Sequence, residues 1–71
     1  MTYGETARKH RKDAGLSIAK MSKLSGIAPA TIGNFELGIK STSLFVVEAL
    51  ADTLGLSIDE YIGHKAVKPR V

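Results

Sequence analysis

The sequence predicts an all-α protein, a compact five-helix bundle built around one small core. Glycines and helix-capping residues divide the chain into five segments of helical length, and apolar residues recur within these segments at helical spacing. The chain has 71 residues and no cysteine. It therefore has room for one domain, which must be stabilised by helix caps and apolar packing rather than by disulfides.

The first two predicted helices are separated by a glycine and a serine. Residues 2–14 contain no proline, and Tyr3, Ala7, His10 and Ala14 recur there at helical spacing. Gly15 ends this helix, because glycine enters the left-handed conformation without a steric penalty. Ser17 is a good N-cap for a second helix over residues 18–25. The inner side of that helix is predicted to carry Ile18, Met21 and Leu24.

A turn of three residues, 26–28, leads from the second helix to a third. Pro29 stands in the first turn of the third helix, where its missing N–H is not needed. Ile32 and Phe35 are three residues apart and are predicted to face inward. Gly38 closes the helix. Two short helices joined by a three-residue turn that contains glycine have the spacing of a helix-turn-helix.

Two further helices follow a loop at 39–42. Ser43 caps the fourth, whose apolar stripe consists of Leu44, Val47, Leu50, Ala51 and Leu54. Residues 44–47 alone are also compatible with a strand, but a stripe of eleven residues between a cap and Gly55 favours a helix. Residues 57–60 form a capping box for a short fifth helix that ends near Gly63. The domain is thus predicted at 1–63, followed by a basic, disordered tail at 64–71.

Charge is distributed unevenly along the chain. Residues 1–40 carry seven Lys or Arg against three Asp or Glu, residues 41–62 carry four acids and no base, and residues 63–71 add three bases. Charged residues that only solvate the surface are the simpler interpretation. The separation of bases from acids along the chain instead favours a basic half that faces a polyanion.

Other classes of protein find little support in the sequence. The longest apolar run, residues 44–47, is too short for a membrane span, and no signal-peptide pattern is present. The two histidines, His10 and His64, have no metal-ligand spacing. We find no nucleophile–base set, so we expect no enzyme, metal, cofactor or small-molecule substrate. A cytoplasmic location is expected.

The ordered pattern resembles one known family over residues 2–62. The matching residues are Arg8, Arg11, Gly15-Leu16-Ser17, Met21, Gly26-Ile27, Thr31-Ile32, Phe35-Glu36-Leu37-Gly38, Ser43-Leu44, Leu50-Ala51 and Leu54-Gly55-Leu56-Ser57-Ile58-Asp59-Glu60. In this order and spacing they resemble the lambda-repressor/Cro-like regulators, also called the xenobiotic-response-element family. The resemblance implies a small transcriptional regulator of repressor type, which binds double-stranded DNA with its third helix in the major groove.

The resemblance also implies roles for individual residues. The base-facing positions are Pro29, Ala30, Gly33 and Asn34, which point outward if Ile32 and Phe35 point inward. The phosphate-facing positions are Ser17, Ile18, Ala28, Thr31, Lys40 and Ser41. Plain surface positions remain the alternative for Thr31, Lys40 and Ser41, and a purely structural helix start remains the alternative for Pro29. Arg11 and Glu36 match positions that pair in a structural salt bridge.

Several positions depart from the pattern of the family. Ile18 replaces a glutamine that typically contacts a phosphate, and Ala28 replaces a Ser or Thr cap. Among the base-facing positions only Asn34 has a hydrogen-bonding side chain, suited to adenine. Low specificity or reliance on DNA shape is therefore an alternative to direct readout. A protein-interaction module that reuses the fold, with weak or no specific DNA binding, is the alternative function.

A weak homodimer that is strengthened on DNA is the last expectation. One such domain covers few base pairs, and pairing would double the readout. The predicted contact residues are Ile58, Tyr61 and Ile62, since the fifth helix offers more apolar surface than one face can bury. The acids at 59 and 60 would repel their copies and keep the contact weak.

Overall fold

A computed structural model describes residues 2–38 and 43–63, and within these ranges it contains five helices and no strand. They are α1 (Tyr3–Asp13), α2 (Ile18–Ser25), α3 (Pro29–Leu37), α4 (Leu44–Thr53) and α5 (Ile58–Ile62). The predicted all-α fold of five helices is confirmed. None of these described helices has the length and apolar content to cross a bilayer. The predicted contacts Lys40 and Ser41 and the predicted tail at 64–71 lie outside the described residues.

Side chains cap four of the five helices at their N-termini. The serine caps predicted from the sequence are Ser17, Ser43 and Ser57. Each hydroxyl accepts a hydrogen bond of 3.1–3.3 Å from the backbone N–H three residues later. Thr2 and Glu5 form a capping box at the start of α1 that we did not predict. Only α3 begins without a side-chain cap, because Ala28 lacks an acceptor and Pro29 sets the first turn.

One apolar core holds the helices together. Helix α1 packs on α3 and α5, α2 packs on α3 and α4, and α4 packs on α5. The buried apolar residues are Ala7, Met21, Ile27, Ile32, Phe35, Val47, Leu50, Ala51 and Tyr61. The ring centroids of Phe35 and Tyr61 lie 6.0 Å apart, a distance typical of packed aromatic pairs. This contact ties the short α5 to α3.

Two leucines predicted to face inward are exposed instead. Leu24 is 56% exposed, because the inner side of α2 passes through Met21 and Ser25, and Leu24 lies about 100° around the helix from Ser25. Leu44, the first residue of α4, is 68% exposed and does not join the core. The rest of the predicted α4 stripe is buried or half-buried.

The inner side of α1 coincides with the residues at helical spacing in the sequence only at Ala7. It runs through Gly4, Ala7 and Arg11, whereas Tyr3 is 53% exposed. A Cβ atom at Gly4 would overlap the backbone carbonyl oxygens of Phe35 and Glu36 at the end of α3. The missing side chain therefore lets α1 and α3 cross in close contact, and this crossing helps to fix where α3 lies.

Candidate nucleic-acid interface

The turn between α2 and α3 is held by local hydrogen bonds and by one buried side chain. Gly26 is left-handed, with φ 77°, and its N–H donates to the carbonyl oxygen of Ser22 at 2.9 Å. The N–H of Ile27 donates to the hydroxyl of Ser25 at 3.2 Å. The Ile27 side chain is 8% exposed and anchors the turn in the core. This anchored turn fixes the orientation of α3 relative to α2.

Helix α3 has one side in the core and one side open to solvent. Its buried residues are Ile32, Phe35 and Glu36. The four residues predicted to face bases are Pro29 and Ala30, which are exposed, and Gly33 and Asn34, which are half-buried. The exposure of Pro29 and Ala30 agrees with the predicted outward orientation, whereas Gly33 and Asn34 are only partly open to solvent. The contact of all four with bases stays a prediction.

The predicted base-facing positions on the open side of α3 have few polar side chains. Pro29 and Ala30 offer apolar surface, and a Cβ atom at Gly33 would meet nothing within 4 Å. The Asn34 amide has one donor group and one acceptor, and no described residue forms a hydrogen bond with it. A planar amide of this kind can pair with the two exposed atoms of adenine in the major groove. Asn34 is therefore the side chain on this surface that is best suited to read a base.

A buried ion pair supports α3 from behind. The guanidinium of Arg11 on α1 donates to both carboxylate oxygens of Glu36, at 2.7 and 2.9 Å, and to the carbonyl oxygen of Leu16 at 2.7 Å. The hydrogen bond to Glu36 raises the pKa of Arg11 above its ordinary value, so the group stays charged. The salt bridge expected from the resemblance is thus present, and it joins α1, the start of α2 and α3.

The predicted phosphate-facing residues occupy the two helix starts of the motif. Ser17 and Ala28 are exposed, and Ile18 and Thr31 are half-buried. The Ser17 hydroxyl accepts a hydrogen bond from the backbone N–H of residue 20. The backbone N–H groups of residues 18 and 19, at the N-terminus of α2, have no partner within the helix. Such N–H groups favour an anion. Contact with phosphate remains a prediction for all four residues.

One residue that the sequence analysis did not assign to the interface lies next to it. A surface cavity of about 190 Å³ is lined by Arg8, Arg11, Ile18, Gly33, Glu36 and Leu37. Arg8 is exposed on α1, and the cavity brings it beside one predicted phosphate position and one predicted base position. The signal was present in the sequence, because residues three apart on a helix are neighbours and Arg11 was expected to face α3.

The structure corrects one of the three predicted dimer contacts. Tyr61 is fully buried, because its ring packs against Phe35 on the inner side of α5, and it cannot meet a second chain. Ile58 and Ile62 are half-buried. They border an apolar surface cavity of about 450 Å³ together with the exposed Leu44. These two isoleucines remain candidates for the contact.

Comparison with known proteins agrees with the described geometry. A family model described as helix-turn-helix matches residues 8–61, about three quarters of the chain. The match covers the second half of α1, all of α2, α3 and α4, and most of α5. Searches among curated proteins and among solved structures gave no match. The chain belongs to the lambda-repressor/Cro-like helix-turn-helix family, whose members are DNA-binding regulators.

Proposed function

We propose that this protein is a cytoplasmic transcriptional regulator of repressor type, which binds duplex DNA with a preference for sequence. The observation that carries the proposal is the arrangement of α3. Its inner side is fixed by Ile32, Phe35 and the buried pair of Glu36 with Arg11, and its outer side is open. A rigid helix held out from a small core is suited to the width of the major groove.

Base reading in this proposal depends on few groups. Asn34 pairs with adenine, and Pro29 or Ala30 contacts a thymine methyl group. Gly33 adds no side chain, so it lets the DNA approach α3 closely. The sequence-dependent shape of the DNA supplies the remaining preference.

Phosphate contacts supply most of the affinity in this proposal. The proposed contacts are Ser17, Ile18, Ala28, Thr31, Lys40 and Ser41. The basic half of the chain supports them, since residues 1–40 have an excess of four positive charges and residues 41–62 an excess of four negative charges. If the first half of the chain faces the DNA, the acids of α4 and α5 lie farther from the phosphates than the bases do.

We also propose that two copies pair through α5 when they bind DNA. The support comes from the apolar surface at Ile58 and Ile62, which continues onto the exposed Leu44 across the shared cavity. The acids Asp59 and Glu60 are exposed on the same short helix. Their repulsion across a two-fold axis keeps the contact weak until DNA aligns the two copies.

A second candidate function is a protein-interaction module that uses the same fold. The observation in its favour is the sparse polarity of α3, where Asn34 is followed one turn later by Leu37, which is 70% exposed. An exposed apolar residue at this place fits a protein surface better than a phosphate backbone.

Selection of bound duplexes from a random pool distinguishes the two functions. For a DNA reader we expect an enriched motif, and binding to it should weaken linearly on a log–log plot against salt, with a slope of about −0.9 per phosphate neutralised. A matched duplex with the motif scrambled serves as the control. Enrichment of no motif, with no retention on duplex DNA at low salt, would support the interaction module instead.

A further inference from the structure

Arg8 is a cation without a partner at the edge of the proposed DNA-binding surface. Its side chain is exposed on α1, and no hydrogen bond or ion pair joins it to any described residue. It borders the cavity of about 190 Å³ that also touches Ile18 at the start of α2 and Gly33 on α3. Arg8 therefore shares this cavity with a predicted phosphate position and a predicted base position.

Two nearby acids, Glu36 and Glu5, have hydrogen-bond partners other than Arg8. Glu36 uses both carboxylate oxygens to accept hydrogen bonds from Arg11. Glu5, one turn before Arg8 on α1, accepts a hydrogen bond of 2.8 Å from the N–H of Thr2 in the capping box. Neither acid forms a hydrogen bond or an ion pair with Arg8, so the charge of Arg8 remains available to a ligand.

The cavity is open where it borders Gly33. A Cβ atom at Gly33 would meet nothing within 4 Å, and Gly33 itself has no side chain to fill the cavity. Ile18, on the other wall, has an apolar side chain and offers only its backbone N–H to an anion. The other cation of the cavity, Arg11, donates to Glu36 and to the Leu16 carbonyl oxygen, so Arg8 is placed to provide the donor for a ligand.

We propose that Arg8 binds a backbone phosphate of the DNA strand that passes the N-terminus of α2, and that Gly33 keeps the path open for it. The inference rests on the proposed DNA-binding function. A phosphate fits better than a base edge, because Arg8 stands on α1 and not on the helix that enters the groove. The forked guanidinium matches two phosphate oxygens, and the N–H groups of α2 favour the same negative charge.

Glutamine variants at Arg8 and Lys9 test this inference. Lys9 is the matched control: it is exposed on the same helix, carries the same charge and does not border the cavity. The probe is the duplex selected by the wild-type protein, titrated at several KCl concentrations. We expect Arg8→Gln to weaken binding about tenfold at 0.1 M salt, a loss of about 1.4 kcal/mol. It should also reduce the salt slope by about 0.9, whereas Lys9→Gln changes both much less.

Two further measurements separate the possible failures. The melting temperature of Arg8→Gln should match that of the wild type, since the side chain is exposed. Arg8→Lys keeps the positive charge, so it should recover part of the DNA affinity and all of the salt slope. Equal losses for Arg8→Gln and Lys9→Gln, with the wild type binding DNA, would overturn the role of Arg8 alone. A wild-type protein that binds no duplex would overturn the proposed function together with this inference.

Discussion

Arg11 and Glu36 meet through two hydrogen bonds of 2.7 and 2.9 Å, although 25 positions separate them in the chain. The side chains are 8% and 3% exposed, so the pair is shielded from water and salt. Arg11 also donates to the carbonyl oxygen of Leu16, just before α2. The orientation of α3 thus depends on a charge that belongs to α1.

Removing one partner of this pair should destabilise the protein strongly. Glu36→Ala leaves the Arg11 guanidinium buried without its carboxylate, which costs about 3–5 kcal/mol in comparable cases. The midpoint of urea unfolding, followed by circular dichroism, should fall sharply. Combining Glu36→Ala with Arg11→Met should cost less than the sum of the two single changes, because no unpaired charge remains. Additive losses in this cycle would show that the two groups do not act as a pair.

Local signals in the sequence predicted the helices, and they predicted the buried sides of α3 and most of α4, but not those of every helix. Ser17 and Ser57 cap helices because a hydroxyl and an N–H three residues later meet whatever the surroundings are. Leu24 and Tyr61 were assigned wrongly, because their exposure depends on neighbours that are distant in the sequence. Spacing alone did not predict the ion pair of Arg11; the resemblance to a family did.

Gly4 and Gly33 are both helical glycines, and alanine should have opposite effects at the two positions. At Gly4 the new Cβ meets backbone carbonyl oxygens of α3, which cannot move aside as a side chain does. Gly4→Ala should therefore destabilise by about 1–3 kcal/mol. Gly33→Ala meets nothing within 4 Å and should stabilise by about 0.5–1 kcal/mol through its helix propensity. Melting temperatures that shift in the same direction for both variants would contradict this interpretation.

The close crossing at Gly4 also shows a limit of sequence analysis. A glycine inside a helical segment indicates only a lower helix propensity, and nothing in residues 2–14 shows what it packs against. Gly4, Ala7 and Arg11 do form a helical row, but the row contains one charged residue and no large apolar one. The burial of this row follows from its packing against α3, which the sequence of α1 alone does not show.

The Tyr61 hydroxyl makes a third prediction possible. The residue is fully buried, and its oxygen has no hydrogen-bond partner among the described residues. Burial raises the pKa of this hydroxyl well above its ordinary value, with a further increase from Glu36 that Arg11 opposes. Tyr61→Phe removes the unsatisfied group and keeps the ring contact with Phe35, so stability should be unchanged or higher by up to about 1–3 kcal/mol.

Urea unfolding of Tyr61→Phe and Tyr61→Ala measures the two parts of this side chain separately. The alanine variant loses the ring as well and should be less stable by about 3–5 kcal/mol, the usual loss for a buried aromatic residue. If the phenylalanine variant instead lost more than about 1 kcal/mol, the hydroxyl would have a partner in solution.

Pairing on DNA should depend on Ile62 and be independent of Leu24. Ile62→Asp places a third acid on α5 and removes apolar surface from the proposed contact, whereas Leu24→Asp changes an exposed leucine on α2. With two half-sites about 10–10.5 bp apart, the wild type should bind cooperatively and Ile62→Asp one site at a time. Sedimentation of the complexes gives the number of chains bound. Cooperative binding by Ile62→Asp would contradict the proposed contact.

Asn34 provides the test of base reading. Its amide is the one side-chain group on the proposed base-facing positions that can donate and accept hydrogen bonds, and it is half-buried, so truncation should leave the core intact. Asn34→Ala should weaken binding to the selected duplex by about 1–3 kcal/mol and leave the salt slope unchanged, because no phosphate contact is lost. Selection from the random pool with the variant should return the wild-type motif with one adenine position relaxed. The same motif from both proteins would show that Asn34 reads no base, and that the preference comes from the shape of the DNA.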